Sequence, residues 1–330
     1  MATLAAKNYY TLMDLLNQKD SKGNAAIVAE ILNENNPMLQ DAPWEEANDT
    51  FSYTFTRRLS LPKGSWRDIN EGVATEASHT KRATEYIGML ESYSEVDKTL
   101  VDNHPSPAKF RMTEASAFIE GMSQTLAKAI IYGNPGMDPT PKIITGLAPR
   151  LNSLAQDNVI DCGGTGVNLT SLYIVQWGPT KTFMFHPKSH TNKGIDHKDL
   201  GEHTLFDTNN QKYQGYRDHF AVHCGLGVKD ERCIFRIANI NVAATKGTAG
   251  YFNEDLLIEA LDSMPNNAAG AIIYAPREVM TMATILMKDK GNVNFTADSG
   301  NGLSGMRVVR FLDIPFKKVD AISTTETQVV

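Results

Sequence analysis

The chain has 330 residues, 42% of them hydrophobic, which is enough for one large core or two to three subdomains and excludes global disorder. Its formal charge of −6 argues against a dedicated nucleic-acid binder, which would carry a basic excess, although an inner wall that merely faces DNA is compatible with it. Met1 to Tyr10 lack the basic start and apolar run of a signal peptide, and no apolar stretch approaches the roughly 20 residues that span a bilayer. The expectation is synthesis in a reducing cytoplasm with no membrane partner. Cys162, Cys224 and Cys233 are odd in number and irregularly spaced, unlike a disulfide framework.

In chain order, Tyr9 to Asn17 reads as two helical turns. Ala25 to Asn33 carries Ile27, Val28, Ile31 and Leu32 at the spacing of one apolar helix face, and Asn35-Asn36-Pro37 ends it. Neither piece is long enough to be stable alone, so each must pack on the rest of the chain or on a neighbour. Thr50 to Leu61 alternates, with Phe51, Tyr53 and Phe55 on one side, and reads as a strand that ends at the turn Pro62-Lys63-Gly64. Asn70 to Lys81 is too poor in large apolar residues to bury itself, so a projecting loop or hairpin is predicted. From Arg57 to Arg82 six bases oppose three acids, whereas Glu85, Glu91, Glu95 and Asp97 follow with the opposite sign. Such runs are usually solvated surface. The sharper reading lays the basic projection of one subunit on the acidic patch of the next.

Ser106-Pro107 opens the clearest helix. Its apolar stripe is Ala115, Phe118, Ile119, Met122, Leu126, Ala129 and Ile130, with Glu114, Glu120, Gln124 and Lys128 on the other side, and Gly133-Asn134-Pro135-Gly136 stops it. Ser171 to Trp177 and Lys181 to His186 read as strands around the turn Gly178-Pro179-Thr180. Tyr213 to Val228 reads as a long strand with only Asp218 out of its apolar pattern, and Arg232 to Ile240 is expected to return against it. Asn253 caps a helix through Met264, Ala271 to Tyr274 is a short buried strand, and Pro276 opens a helix that ends at Lys288, Lys290 and Gly291. Met306 to Leu312 is a further strand.

Motifs that carry chemistry are weak. Asp161-Cys162-Gly163-Gly164-Thr165-Gly166 lacks the spacing of a nucleotide loop and reads as a flexible turn. His186, His190, His197 and His203 lie among Asp196, Asp199 and Glu202, and imidazole with carboxylate can hold a metal, so a metal-dependent hydrolase is the alternative reading. The segment reads as loop, without the i, i+4 pairs of a compact ligand set, and a solvated surface is favoured. Cys224 falls on the apolar face of its strand and reads as core. No catalytic signature and no cofactor motif is found.

Several phrases resemble the major capsid proteins of short-tailed phages. They are Trp66-Arg67-Asp68-Ile69-Asn70-Glu71-Gly72-Val73, Gly88-Met89-Leu90-Glu91-Ser92-Tyr93-Ser94-Glu95-Val96-Asp97, Phe118-Ile119-Glu120-Gly121-Met122, Gly146-Leu147-Ala148-Pro149-Arg150, Trp177-Gly178-Pro179 and Arg236-Ile237-Ala238-Asn239-Ile240. The resemblance covers nearly the whole chain. It implies an α+β fold of the Hong Kong-97 capsid type, with an N-terminal arm (1–49), an extended loop (50–85), a peripheral domain with a spine helix and long strands (86–240), an axial domain (241–315) and a C-terminal tail (316–330). A segment like Ala271 to Gly291 precedes the long strands in the common form and follows them here, so a permuted connectivity is expected. The implied role is structural, not enzymatic: assembly through pentamers and hexamers into an icosahedral shell around the phage genome. The implied partners are copies of itself, scaffolding, portal and decoration proteins, and DNA by proximity. Arg57, Arg58, Trp66, Arg67, Glu91 and Glu95 are the candidate inter-subunit contacts.

Overall fold

The computed structural model describes residues 34, 36–136, 142–188, 194–207, 209–287, 295–298 and 308–330. The helical pieces expected at Tyr9 to Asn17 and Ala25 to Asn33, His190, and the end of the last helix at Lys288 to Gly291 lie outside the described residues. In order the main elements are β1 (Trp44–Glu46), β2 (Ser52–Arg58), β3 (Thr80–Tyr86), β4 (Gly88–Asp97), α1 (Pro107–Tyr132), β5 (Val159–Asp161), β6 (Leu169–Gln176), β7 (Thr182–His186), β8 (Asp196–Phe206), β9 (Lys212–Val228), β10 (Ile234–Asn241), α2 (Glu254–Ser263), β11 (Ala271–Ala275), α3 (Arg277–Met287), β12 (Phe295–Asp298), β13 (Val308–Phe311) and β14 (Ile314–Lys318). They fall into two compact units. One takes 89–127 and 191–223 together with the N-terminal part of the chain to Glu34. The other takes 35–88, 128–190 and 224–330.

In the first unit β4 and β8 flank the N-terminal part of β9. The partner of β9 is therefore Asp196–Phe206, the histidine-bearing stretch that reads as loop in the sequence, with register pairs from His197↔Phe220 to Phe206↔Lys212. Its polar, exposed side chains hide the strand from a hydrophobic-pattern reading. The out-of-pattern Asp218 is buried at 8% exposure, and the Arg111 guanidinium meets both of its carboxylate oxygens at 3.0 and 3.1 Å. A ring stack of Phe118, Phe220 and His197, at 5.4 and 4.5 Å, covers the same face. The α1 residues Ala115 and Phe118 are half-buried and Met122 is buried, as their stripe predicts. Ile119 is 38% exposed, and Glu114 and Glu120 are half-buried rather than solvated. The predicted stripe is thus rotated at its N-terminal half. At 26 residues α1 is roughly 39 Å long.

Gly121 sits in the exposed interior of α1, and a Cβ there would meet nothing within 4 Å. Gly121→Ala is expected to stabilise the subunit by about 0.5–1 kcal/mol, because the helix-interior entropy cost of glycine is removed without a clash. A urea midpoint that falls instead of rising refutes the expectation.

The second unit is built on the seven-stranded sheet β12-β13-β14-β11-β6-β10-β5, mixed parallel and antiparallel. All eight residues of β6 are buried, because the strand is central and covered on both faces. The α2 residues Leu257, Ala260 and Leu261 and the α3 residues Val279, Met282 and Ala283 join one core with Ile237, Ile273, Phe311 and Phe316. Asn253 caps α2 through its side chain, as its position predicts. β10 pairs antiparallel with β6 and parallel with β5, not with β9 as sequence adjacency suggests. β6 and β7 likewise do not form a hairpin around Gly178. They enter different sheets, β7 pairing with the end of β9 and with β1. At that β7–β9 pair the rings of Phe183 and Phe185 lie over Gly227 and Gly225, where a Cβ would approach within 2.6 and 2.3 Å of ring carbons. The glycines are required so that each ring can lie across the neighbouring strand.

Candidate functional site

β2 and β3 form a two-stranded hairpin in strict register, Ser52↔Tyr86 through Arg58↔Thr80. From Leu61 through the connection to Arg82 in β3 every residue is exposed. The connecting segment holds its shape by local bonds alone. The Glu76 carboxylate accepts from the Lys63 and Gly64 N–H groups at 2.6 and 3.0 Å, and the Leu59 N–H donates to the His79 carbonyl at 2.8 Å. Gly64 and Asn70 supply the positive φ of its turns, at 67° and 68°. Leu59, Leu61, Trp66, Ile69 and Val73 are all exposed here, Trp66 completely. Monomeric proteins rarely leave such a run of large apolar side chains in water.

The root of the hairpin is held firmly. Arg150 meets the Glu85 carboxylate with two parallel bonds of 2.7 Å, both side chains largely buried, and also donates to the Thr145 and Leu226 carbonyls. Tyr53 packs edge-on against Phe183 with ring centroids 5.0 Å apart, and the Lys229 ammonium stands 4.9 and 4.4 Å from the two rings. Arg57 donates to the Glu231 carboxylate and to the Val228 carbonyl. A rigid root with basic strands that presents an exposed apolar tip is suited to gripping another surface.

The six candidate contacts therefore divide. Arg57 is committed to its own chain. In the first unit Glu95 accepts from Arg217 at 2.6 and 2.9 Å, and Glu91 lies 3.2 Å from His219 Nε2 and 3.6 Å from His223 Nε2. The acidic strip of β4 is thus opposed by the bases of β9, a match that sequence separation concealed. Arg58 and Trp66 are exposed, and Arg67 reaches the Glu71 carbonyl at 3.2 Å within the tip.

His186 is buried in the second unit, with Nδ1 3.2 Å from the Pro187 carbonyl oxygen. In the first, His197 Nε2 lies 3.1 Å from Asp218 Oδ1, while His203 is exposed. Among the described residues no three side chains of His, Cys, Asp or Glu are grouped to hold a metal ion. Burial pushes the Cys224 thiol up to about 12, so it is core and not nucleophile. The Asp161 to Gly166 segment, expected as a flexible turn, instead continues from β5 alongside β10, where the Cys162 and Gly164 N–H groups donate to the Ala238 and Asn239 carbonyls.

One group escapes sequence reasoning altogether. The Glu326 side chain is almost fully covered and accepts from Arg236 at 2.9 Å and from the hydroxyls of Ser171 and Tyr132. Burial, and then the Glu326 carboxylate, push the Tyr132 phenol above its usual range, so it remains a donor. The chain from Ser323 to Val330 is tied into the second unit by this group and by Asn239, which bonds both the N–H and the carbonyl of Val329.

The family model for major capsid protein GP7 matches residues 20–330. Among solved structures, the near-atomic structure of bacteriophage Epsilon15 matches with 26% identity and a TM-score of 0.74, covering 100% of this chain and 99% of that one. The bacteriophage JBD30 capsid matches with 11% identity and a TM-score of 0.50, over 88% of this chain and 93% of that one, a likeness of fold. No curated protein matches the sequence.

Proposed function

Because the chain belongs to the major capsid protein GP7 family and has the Hong Kong-97-like fold of phage shells, we propose that this structural capsid subunit closes its shell through the tip of the β2–β3 hairpin. The observation that carries this reading is the pairing of a clamped root with an exposed tip bearing Leu61, Trp66, Ile69 and Arg67. In this reading copies associate head to tail into pentamers and hexamers, and these close into an icosahedral shell. Residues 1–49 serve as arm and 50–85 as extended loop. The 86–240 and 241–315 segments supply the peripheral and axial domains, with β5, β6 and β10 joining β11–β14 in one sheet, and 316–330 form the tail. Arg58, Trp66 and Arg67 make the contact, with Arg57 fixing the root. The subunit is made in the host cytoplasm and performs no catalysis. Scaffolding, portal and decoration proteins are its further partners, and packaged DNA lies near its inner wall.

Deleting Leu61 to Ala77 should leave a folded subunit that no longer sediments as particles. Trp66→Asp with Leu61→Asp should act the same way, since these exposed side chains contribute nothing to the subunit's own core. Arg58→Glu with Arg67→Glu should weaken assembly less, and added salt should weaken it too within the screening length of about 10 Å at 0.1 M. Sedimentation and negative-stain microscopy read the outcome, with circular dichroism as the folding control. Normal particles from the tip variants refute the proposal.

A further inference from the structure

Trp66 is completely exposed, so no packing within its own chain orients it. Its placement depends on the backbone that carries it, and that backbone is closed on both sides. After Trp66, Asp68 to Glu71 make a turn in which the Glu71 N–H donates to the Asp68 carbonyl at 3.2 Å and Asn70 supplies the positive φ. Before it, the N–H groups of Lys63 and Gly64 both donate to one carboxylate oxygen of Glu76, at 2.6 and 3.0 Å. Glu76 stands 13 residues beyond Lys63. Among the described residues it is the one side chain that ties the two arms of the connection past the Ser60 and His79 contacts. A charged acceptor makes these bonds stronger than neutral ones.

We infer that Glu76 is the positioning residue of the tip: by closing the chain at Lys63 and Gly64 it holds Trp66 where a neighbouring copy meets it. The inference rests on the tip being the contact between copies. The cause is entropic. An open connection between Ser60 and His79 samples many backbone states, and each copy loses that freedom when it docks. A connection that is already closed loses less, so the same contacts give tighter association. The bonds lie at the surface, where water competes for them, so the effect is graded rather than all or none.

The test uses the full chain with Glu76→Ala or Glu76→Gln. Glu76 is exposed, so neither change touches the core. The first readout is trypsin cleavage after Lys63, in subunits too dilute to assemble. The bond cut is the Lys63–Gly64 amide, whose N–H donates to Glu76. Glu76→Ala should raise the initial rate several-fold. Glu76→Gln loses the same charge but keeps an acceptor oxygen, and should stay near the wild type. The second readout is the protein concentration at which particles first sediment. It should rise several-fold in Glu76→Ala and return most of the way in Glu76→Gln. Equal cleavage rates in the wild type and Glu76→Ala overturn the inference. So does a Glu76→Gln variant cut as fast as Glu76→Ala, which would assign the effect to lost charge. Faster cleavage with unchanged particle formation overturns it as well. Leu61→Asp with Trp66→Asp tells the two failures apart. If that variant forms no particles while Glu76→Ala forms them normally, the tip is the contact and Glu76 does not position it. If it forms particles normally, the tip is not the contact and both readings fall.

Discussion

Arg236→Ala is expected to destabilise the subunit by about 3–5 kcal/mol, because it strands the Glu326 carboxylate in a site where both side chains are only 6% exposed. Each of the three guanidinium nitrogens makes a bond. Its Nη2 meets Glu326 at 2.9 Å, its Nε meets the Ser171 hydroxyl at 2.9 Å, and its Nη1 meets the Leu151 carbonyl at 2.7 Å. Its plane also lies over Tyr173, 5.6 Å from the ring centre. A loss of that size is a large share of the roughly 5–15 kcal/mol that holds a typical domain together, so little soluble protein is expected at 37 °C. Glu326→Ala should cost a comparable amount. The double variant should cost less than the sum, since neither charge is then left alone, and the coupling should be about 1–3 kcal/mol. Urea midpoints of the four proteins give the cycle. A single Arg236→Ala variant within about 1 kcal/mol of the wild type would show that water reaches the group and that the tail is not anchored there.

Met122→Asp places a carboxylate on the face of α1 that is 5% exposed in the wild type, at a cost of several kcal/mol in order of magnitude. Insoluble protein is expected. Ala117→Asp is the matched control. It lies on the same helix at an exposed position, so it should cost only the helix-propensity difference of about 0.5–0.7 kcal/mol and remain soluble. The ratio of soluble to pelleted protein after lysis separates the two. A soluble Met122→Asp subunit that folds like the control contradicts the burial of this face.

What the sequence determined by itself is whatever depends on neighbours close in the chain. The extent of α1 from Pro107 to Tyr132 follows from its start and stop residues, and the cap at Asn253 and the strands around Tyr173, Ile273 and Leu226 follow from capping chemistry and local periodicity. The exposed stretch from Asn70 was legible for the same reason, since a polar run has little to bury, whereas the exposure of Leu61, Trp66 and Ile69 before it was not. The order of familiar phrases carried the fold class beyond what periodicity could.

Tertiary structure decided the rest, because it turns on pairs far apart in the chain. β10 abandons its neighbour β9 for β6, with β7, β8 and β9 intervening, since β6 and β10 share the core of α2 and α3. β8 is a strand despite its polar sequence because β9 supplies the hydrogen bonds, and a strand with exposed side chains needs no apolar pattern. Asp218, which breaks the alternation of β9, is a buried acid answered by Arg111 from α1. Glu95 and Arg57, read from charge alone as outward-facing, spend their charge on Arg217 and Glu231 of the same chain, and Glu91 lies 3.2 Å from His219 Nε2. Charge sign is visible in a sequence. The partner that neutralises it is set by the three-dimensional pairing of strands.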